Sequence, residues 1–113
     1  MKKKLVSVLL AVYNGSEYIE KTVNSVLSQT YQNLELIIVD DCSSDATKEI
    51  IEQYKQKNII IVRNNENIGQ TKSLNKAFLE SSGEFIARID CGDWMEPDRI
   101  DLQVEYLDNN SSV

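Results

Sequence analysis

Leu34-Glu35-Leu36-Ile37-Ile38-Val39 runs without a break into Asp40-Asp41-Cys42-Ser43-Ser44-Asp45, and this stretch decides the fold. A short, nearly continuous apolar run suits a strand covered on both faces, which is the usual situation in a parallel sheet. The polar, acidic residues then fall where such a strand ends. Leu5 to Val12 (LVSVLLAV) reads the same way and ends at Tyr13-Asn14-Gly15, and Ile59 to Val62 and Phe85 to Ile89 read as two further strands of this kind. Helical patterns separate them. Ile19, Val23, Val26 and Leu27 share one face of a helix expected over 16–29, with Asn14 and Glu17 spaced as a capping box. Ile50, Ile51 and Tyr54 mark a second helix behind a cap at Ser43 to Asp45, and Leu74, Ala77 and Phe78 mark a third. A fourth opens at Glu96-Pro97-Asp98 and continues through Ile100, Val104 and Leu107, with Asp108 to Ser112 as a breaker or frayed end. Strand-helix alternation repeated four times implies an α/β fold with a parallel sheet and right-handed crossovers.

Length and charge bound the function. The 113 residues fit a single domain, and 42% apolar with 27% charged residues is ordinary for a globular chain. A net charge of -6 disfavours nucleic acid and anionic lipid as partners, since a polyanion needs a basic face. No apolar stretch reaches the length of a membrane span. Lys2 to Lys4 before Leu5 to Val12 imitates the start of a signal peptide, but the run stops at Tyr13 without a small-residue cleavage site, so a first strand is the better reading and a cytoplasmic location is expected. In that compartment Cys42 and Cys91 are expected to be reduced.

In open parallel sheets ligands bind beyond the carboxyl ends of the strands. The segments there are Tyr13-Asn14-Gly15, Asp40 to Asp45 and Asp90-Cys91-Gly92-Asp93-Trp94. Carboxylates gathered on one rim repel one another unless a cation or a set of donors is held between them. With no histidine in the chain, oxygen ligands favour Mg²⁺ or Mn²⁺ over zinc, and such a cation leaves part of its shell to phosphate. Plainer roles compete: Ser44 and Asp45 as helix caps, Glu96 and Asp98 as first-turn acids, Tyr13 and Trp94 as packing residues, and Asn65 to Gly69 as a turn ending in glycine. There is no G-x-G-x-x-G, no P-loop and no G-x-S-x-G elbow. A phospho-acceptor domain would need an aspartate after the third strand, where Arg63-Asn64-Asn65 stands.

The ordered series Val6-Ser7-Val8 to Tyr13-Asn14, Ser25 to Tyr31 (SVLSQTY), Glu35 to Asp45 (ELIIVDDCSSD), Asn67-Ile68-Gly69, Ser73 to Ala77 (SLNKA), Ile89 to Trp94 (IDCGDW) and Pro97-Asp98-Arg99 resembles the opening of a family-2 glycosyltransferase of GT-A type. The resemblance implies a Rossmann-like nucleotide-binding half with strand order 3-2-1-4, residues 1–113 forming one GT-A-like domain truncated at its C-terminal end. It implies transfer of a sugar, with inversion, from a nucleotide diphosphate donor of UDP type to a hydroxyl of a glycan or lipid-linked acceptor in polysaccharide synthesis, at the inner face of the membrane in a longer protein. The nucleotide site would comprise Ala11, Tyr13 on the uracil ring, Asn14, Asp41 accepting the ring N-H, and Gly92. Asp93 would bind Mg²⁺ or Mn²⁺, with Asp90 a second candidate, and the catalytic base would lie beyond Val113. Two departures stand out: Ala11 replaces the family's usual proline, and Gly92 replaces an acidic residue of the D-x-D-D pattern. Gly92 and the short length leave a catalytically inactive nucleotide-binding module as the alternative. Gly92→Asp is expected to tighten nucleotide binding, provided glycine is not needed there for a positive φ. In this strand order the loops bearing Cys42 and Cys91 start about 9.5 Å apart, beyond the roughly 7 Å reach of a disulfide.

Overall fold

The computed structural model describes residues 4–54 and 56–110. The strands are β1 (Val6–Val12), β2 (Leu34–Asp40), β3 (Ile59–Arg63) and β4 (Phe85–Arg88), and the helices are α1 (Ile19–Leu27), α2 (Thr47–Glu52), α3 (Gln70–Glu80) and α4 (Arg99–Asn110). They alternate as expected. All strand pairs are parallel, in the order β3-β2-β1-β4. In register, Val12 pairs with Asp40 and Asp40 with Arg63, so β1, β2 and β3 end level with one another. β4 stops beside Leu9, three residues earlier, and the chain from Ile89 onward turns across the carboxyl end of the sheet.

Period-two alternation divides the central strands between two cores. Val6, Val8, Leu10 and Val12 of β1 with Leu34, Leu36 and Ile38 of β2 pack on Ile19, Val23 and Val26 of α1, Ile51 of α2, and Ile100 and Val104 of α4. On the opposite face Leu9, Ile37 and Val39 meet Ala77 and Leu74 of α3. With both faces covered, β1 is buried along its entire length, which explains the unbroken apolar reading of its sequence. A polar tie crosses the amino end of the sheet. The buried Ser7 hydroxyl donates to Glu35 Oε2 (2.6 Å) and accepts the Gly83 N-H (2.8 Å), while the Ser82 N-H reaches the same carboxylate (2.7 Å).

Local details depart from the expectations. α1 is shorter than 16–29, and Asn14 and Glu17 do not form its capping box: the Gly15 carbonyl accepts the Tyr18 and Ile19 N-H groups, and no side chain caps the helix. Phe78 lies 55% exposed, because one face of α3 is already filled by Ser73, Leu74 and Ala77. Asp108 and Asn109 do not break α4 but belong to it, and Asp108 pairs with Lys4 at 3.0 Å. Ser111 and Ser112 of the expected breaker fall outside the described residues. One early N-H of α4 is served from the segment after α1: buried Gln29 accepts from Ile100 N-H (2.9 Å) and donates to the Glu96 carbonyl (2.7 Å), while Leu102 N-H bonds the Asp98 carbonyl rather than its carboxylate.

Candidate functional site

The carboxyl ends of β1 and β2 carry two loops that hold each other. Asp40, 1% exposed, terminates β2 and turns inward: Oδ1 accepts the Ser43 N-H (3.1 Å) and Oδ2 pairs with Arg63, whose other nitrogen reaches the Ser43 carbonyl (3.1 Å). The turn thus fixed faces the β1 loop. Asn14 Oδ1 accepts the N-H groups of Ser44 (2.8 Å) and Asp45 (3.3 Å). In return the Asn14, Gly15 and Ser16 N-H groups bond Ser43 Oγ (2.9 Å), Thr47 Oγ1 (3.0 Å) and Asp45 Oδ2 (3.1 Å). Asn14 adopts φ 50, a left-handed conformation that asparagine tolerates better than most residues. Asp45 also receives the Thr47 N-H (3.0 Å) at the start of α2. Burial opposes its charge, but the bonds from Thr47 and Ser16 outweigh that and hold its pKa far below the usual carboxylate range.

Beside this clamp is a cavity of about 290 Å³, lined by Ala11, Tyr13, Asp41 and Asp90 of the expected residues together with Gln70 and Ser73 of α3. Tyr13 leaves its ring half exposed at the rim. Asp41 is 3% exposed, and its carboxylate accepts three hydrogen bonds. Oδ1 accepts from Ile68 N-H (2.8 Å) and Asn64 Nδ2 (2.9 Å), and Oδ2 accepts from Gly69 N-H (2.9 Å). Gly69 makes this possible with φ 95, which turns two successive amides toward one anion. Burial would raise the Asp41 pKa; the Ile68, Asn64 and Gly69 donors, with Ser73 nearby, prevail and lower it. Asn64 is fixed in turn, donating also to Ser73 Oγ (3.0 Å) and accepting from Lys76 Nζ (2.8 Å).

Asn64, Ile68, Ser73 and Lys76 were given no roles by sequence reasoning. The only hint was their place in or beside the Asn67-Ile68-Gly69 and Ser73-to-Ala77 segments, with Ser73 and Lys76 three apart on one face of α3.

The remaining expected residues lie apart from the cavity lining. Asn14 belongs to the loop clamp. Gly92 is in a tight turn in which Asp93 N-H bonds the Asp90 carbonyl (3.0 Å). Thr22 of α1 pins that turn, accepting the Gly92 N-H (2.9 Å) and donating to the Asp93 carbonyl (2.8 Å). Gly92 has φ 103 although a Cβ there would meet open space. The condition attached to Gly92→Asp is therefore not met, and the substitution is strained by the backbone, not by crowding. Asp90 and Asp93 both leave carboxylate capacity at this edge: Asp93 is exposed, and Asp90 uses Oδ1 for Arg88 Nε (3.0 Å) and Gln70 Nε2 (3.3 Å). Among the described residues no three acidic or thiol side chains converge as a metal cage. Two carboxylates nevertheless suit a Mg²⁺ or Mn²⁺ ion that completes its shell with phosphate and water. Cys91 packs on Gly15 and is half buried; burial, then the Asp45 charge, raises its thiol pKa. Cys42 and Cys91 are both free thiols.

Comparison with known proteins agrees with this fold. The putative teichuronic acid biosynthesis glycosyltransferase TuaG of Bacillus subtilis (strain 168) is 41% identical over 107 residues, covering 93% of this chain and 42% of that protein. Among solved structures, S. aureus TarS 1-349 in complex with UDP-GlcNAc superposes with a TM-score of 0.89 at 30% identity, over 97% of this chain and 32% of that one. The mannosyltransferase PcManGT from Pyrobaculum calidifontis, in complex with GDP-Man and Mn²⁺, gives 0.85 at 25% identity, over 95% and 33% respectively. The chain therefore spans well under half the length of these relatives. The model of the family described as Glycosyl transferase family 2 matches residues 7–113, and the chain belongs to that family.

Proposed function

We propose that this chain forms the donor-binding part of an enzyme that transfers a sugar from a UDP-sugar to an acceptor hydroxyl, with inversion, during assembly of a polysaccharide or lipid-linked glycan. The observation that carries the reading is Asp41, held ionised in a cavity at the carboxyl ends of β1 and β2 with Tyr13 at its rim. An anionic acceptor beside an aromatic face suits a base that stacks and donates a ring N-H. Ala11 would flank that base, and Asn14 would act by holding the loop that presents Tyr13. Gly92 would shape the turn on the diphosphate side. Asp93, with Asp90, would hold Mg²⁺ or Mn²⁺, which when bound neutralises the charge developing on the departing diphosphate. A UDP-GlcNAc complex of TarS and a GDP-Man and Mn²⁺ complex of PcManGT support a nucleotide-sugar donor and a metal, and the TuaG name supports polysaccharide synthesis. No residue of 1–113 is assigned as the base that deprotonates the acceptor.

The test is calorimetric titration of the chain with UDP, with and without Mn²⁺. Asp41→Asn should weaken UDP binding about tenfold or more, as loss of a hydrogen bond to a charged acceptor implies. Asp93→Asn should remove the Mn²⁺ dependence. UDP binding indifferent to both changes would refute the assignment.

A further inference from the structure

We propose that Thr22, backed by Ser25, is the positioning residue for Asp93, so that α1 and not the sheet sets where the cation-facing carboxylate stands; this rests on the reading of Asp93 as a metal ligand. β4 ends at Arg88, and past Ile89, whose N-H bonds the Leu9 carbonyl (3.1 Å), the chain leaves β1. The turn that carries Asp93 therefore lies beyond the strand pairs. Among the described residues nothing bonds the exposed Asp93 carboxylate, so its place follows from its backbone.

That backbone is held from α1. Thr22, fully buried, accepts the Gly92 N-H (2.9 Å) and donates to the Asp93 carbonyl (2.8 Å), so one hydroxyl grips two successive residues of the turn. A helical threonine commonly donates to the carbonyl four residues back. Here that oxygen, of Tyr18, is 3.4 Å away, and the shorter contact takes the single hydroxyl proton. Ser25, one turn along the same helix face, accepts the Met95 N-H (3.0 Å) and donates to the Thr22 carbonyl (2.7 Å). Gln29, just beyond α1, continues the row on Glu96 and Ile100.

The row thus takes the place of a neighbouring strand for the chain between β4 and α4. Magnesium-like cations tolerate little departure from octahedral geometry, and a ligand has to be held to within about 0.5 Å by the residues behind it. For Asp93 the groups that can supply this are the two bonds at Thr22, with Ser25 fixing the next step of the chain. Both hydroxyls are fully engaged in backbone bonds, which leaves neither free to act on a ligand directly.

Calorimetric titration of the chain with UDP at graded Mn²⁺ concentrations tests the proposal. Thr22→Val keeps the shape of the side chain and removes both bonds. The Mn²⁺ concentration giving half of the metal-dependent gain in UDP affinity should rise about tenfold or more, the scale on which the outer neighbours of metal ligands act. UDP affinity in EDTA should stay at the parent value. Thr22→Ser keeps the hydroxyl and should bring the midpoint back close to that of the parent. Ser25→Ala should move it in the same direction by less; if circular dichroism shows Thr22→Val unfolded, Ser25→Ala decides, and an unchanged midpoint there overturns the proposal. Folded variants that lose UDP affinity by the same factor with and without Mn²⁺ have lost only structure, and this too overturns it. So does a parent-like midpoint in folded Thr22→Val while Asp93→Asn abolishes the gain. If Asp93→Asn leaves the gain intact, or the parent shows none, the reading of Asp93 itself fails and the positioning argument fails with it.

Discussion

Gly15 is where the site tolerates least change. A Cβ placed there would lie 2.5 Å from Cys91 Sγ and 2.7 Å from Val12 Cγ2, so the β1 loop and the turn after β4 meet only because the side chain is a hydrogen. Gly15→Ala should destabilise the chain by about 1–3 kcal/mol, the usual range for forcing extra volume into a packed contact, and combining it with Cys91→Gly should return part of that loss in urea titrations. Asp45 makes a second prediction. Its folded pKa is depressed, so the unfolded chain binds the proton first as pH falls: the contribution is complete above the ordinary carboxylate pKa near 4 and is lost on descent through the folded value. Asp45→Ala should therefore cost about 0.5–2 kcal/mol at neutral pH, as for other lost caps, and should flatten the fall in stability below about pH 4. Both residues were visible in the sequence, Asp45 as a cap and Gly15 as part of a turn. The crowding around Gly15 was not, because Cys91 lies 76 positions away.

At the scale of elements the sequence identified all eight in order, since each central strand is covered on both faces and each helix shows an apolar stripe; β3 and β4, expected to be covered likewise, are edge strands and only partly buried. It misplaced what begins α1. An asparagine three residues before a glutamate satisfies the local pattern of a capping box, but the Asn14 side chain accepts from Ser44 and Asp45, 30 and 31 positions on. Local spacing carries no information about such partners. The same limit hid Gln29, which serves the amino end of α4 from just beyond α1. Asn14 combines two roles that substitution separates. Asn14→Gly keeps the ease of φ 50 and loses the side-chain bonds, while Asn14→Ala loses both. Thermal melts should rank the parent above Asn14→Gly and Asn14→Gly above Asn14→Ala, the last lower by about 1–3 kcal/mol. An alanine variant as stable as the glycine variant would show that the positive φ carries no strain.

For the whole molecule, the sheet order and the gathering of two acidic loops on one rim follow from topology; the family resemblance implied the order, and the strand pattern implied the shared rim. The division of labour between the faces did not show in the sequence: α1, α2 and α4 share one core, while α3 alone covers the other and also carries Ser73 and Lys76 of the Asp41 cradle. The mutual clamp of the β1 and β2 loops has a consequence for the order in which the protein assembles. Its bonds join residues 29 to 32 positions apart, so none can form until the intervening α1 and β2 have closed against β1 as a unit. Nothing in the clamp is local enough to nucleate, and the ligand-facing rim is expected to be a late, all-or-none event in folding. In hydrogen exchange under native conditions, the amides of Asn14, Gly15, Ser16 and Ser44 should then open together with one free energy, below that of the central β1 amides. If nucleotide binds as proposed, and only to the closed rim, it should slow all four by the same factor.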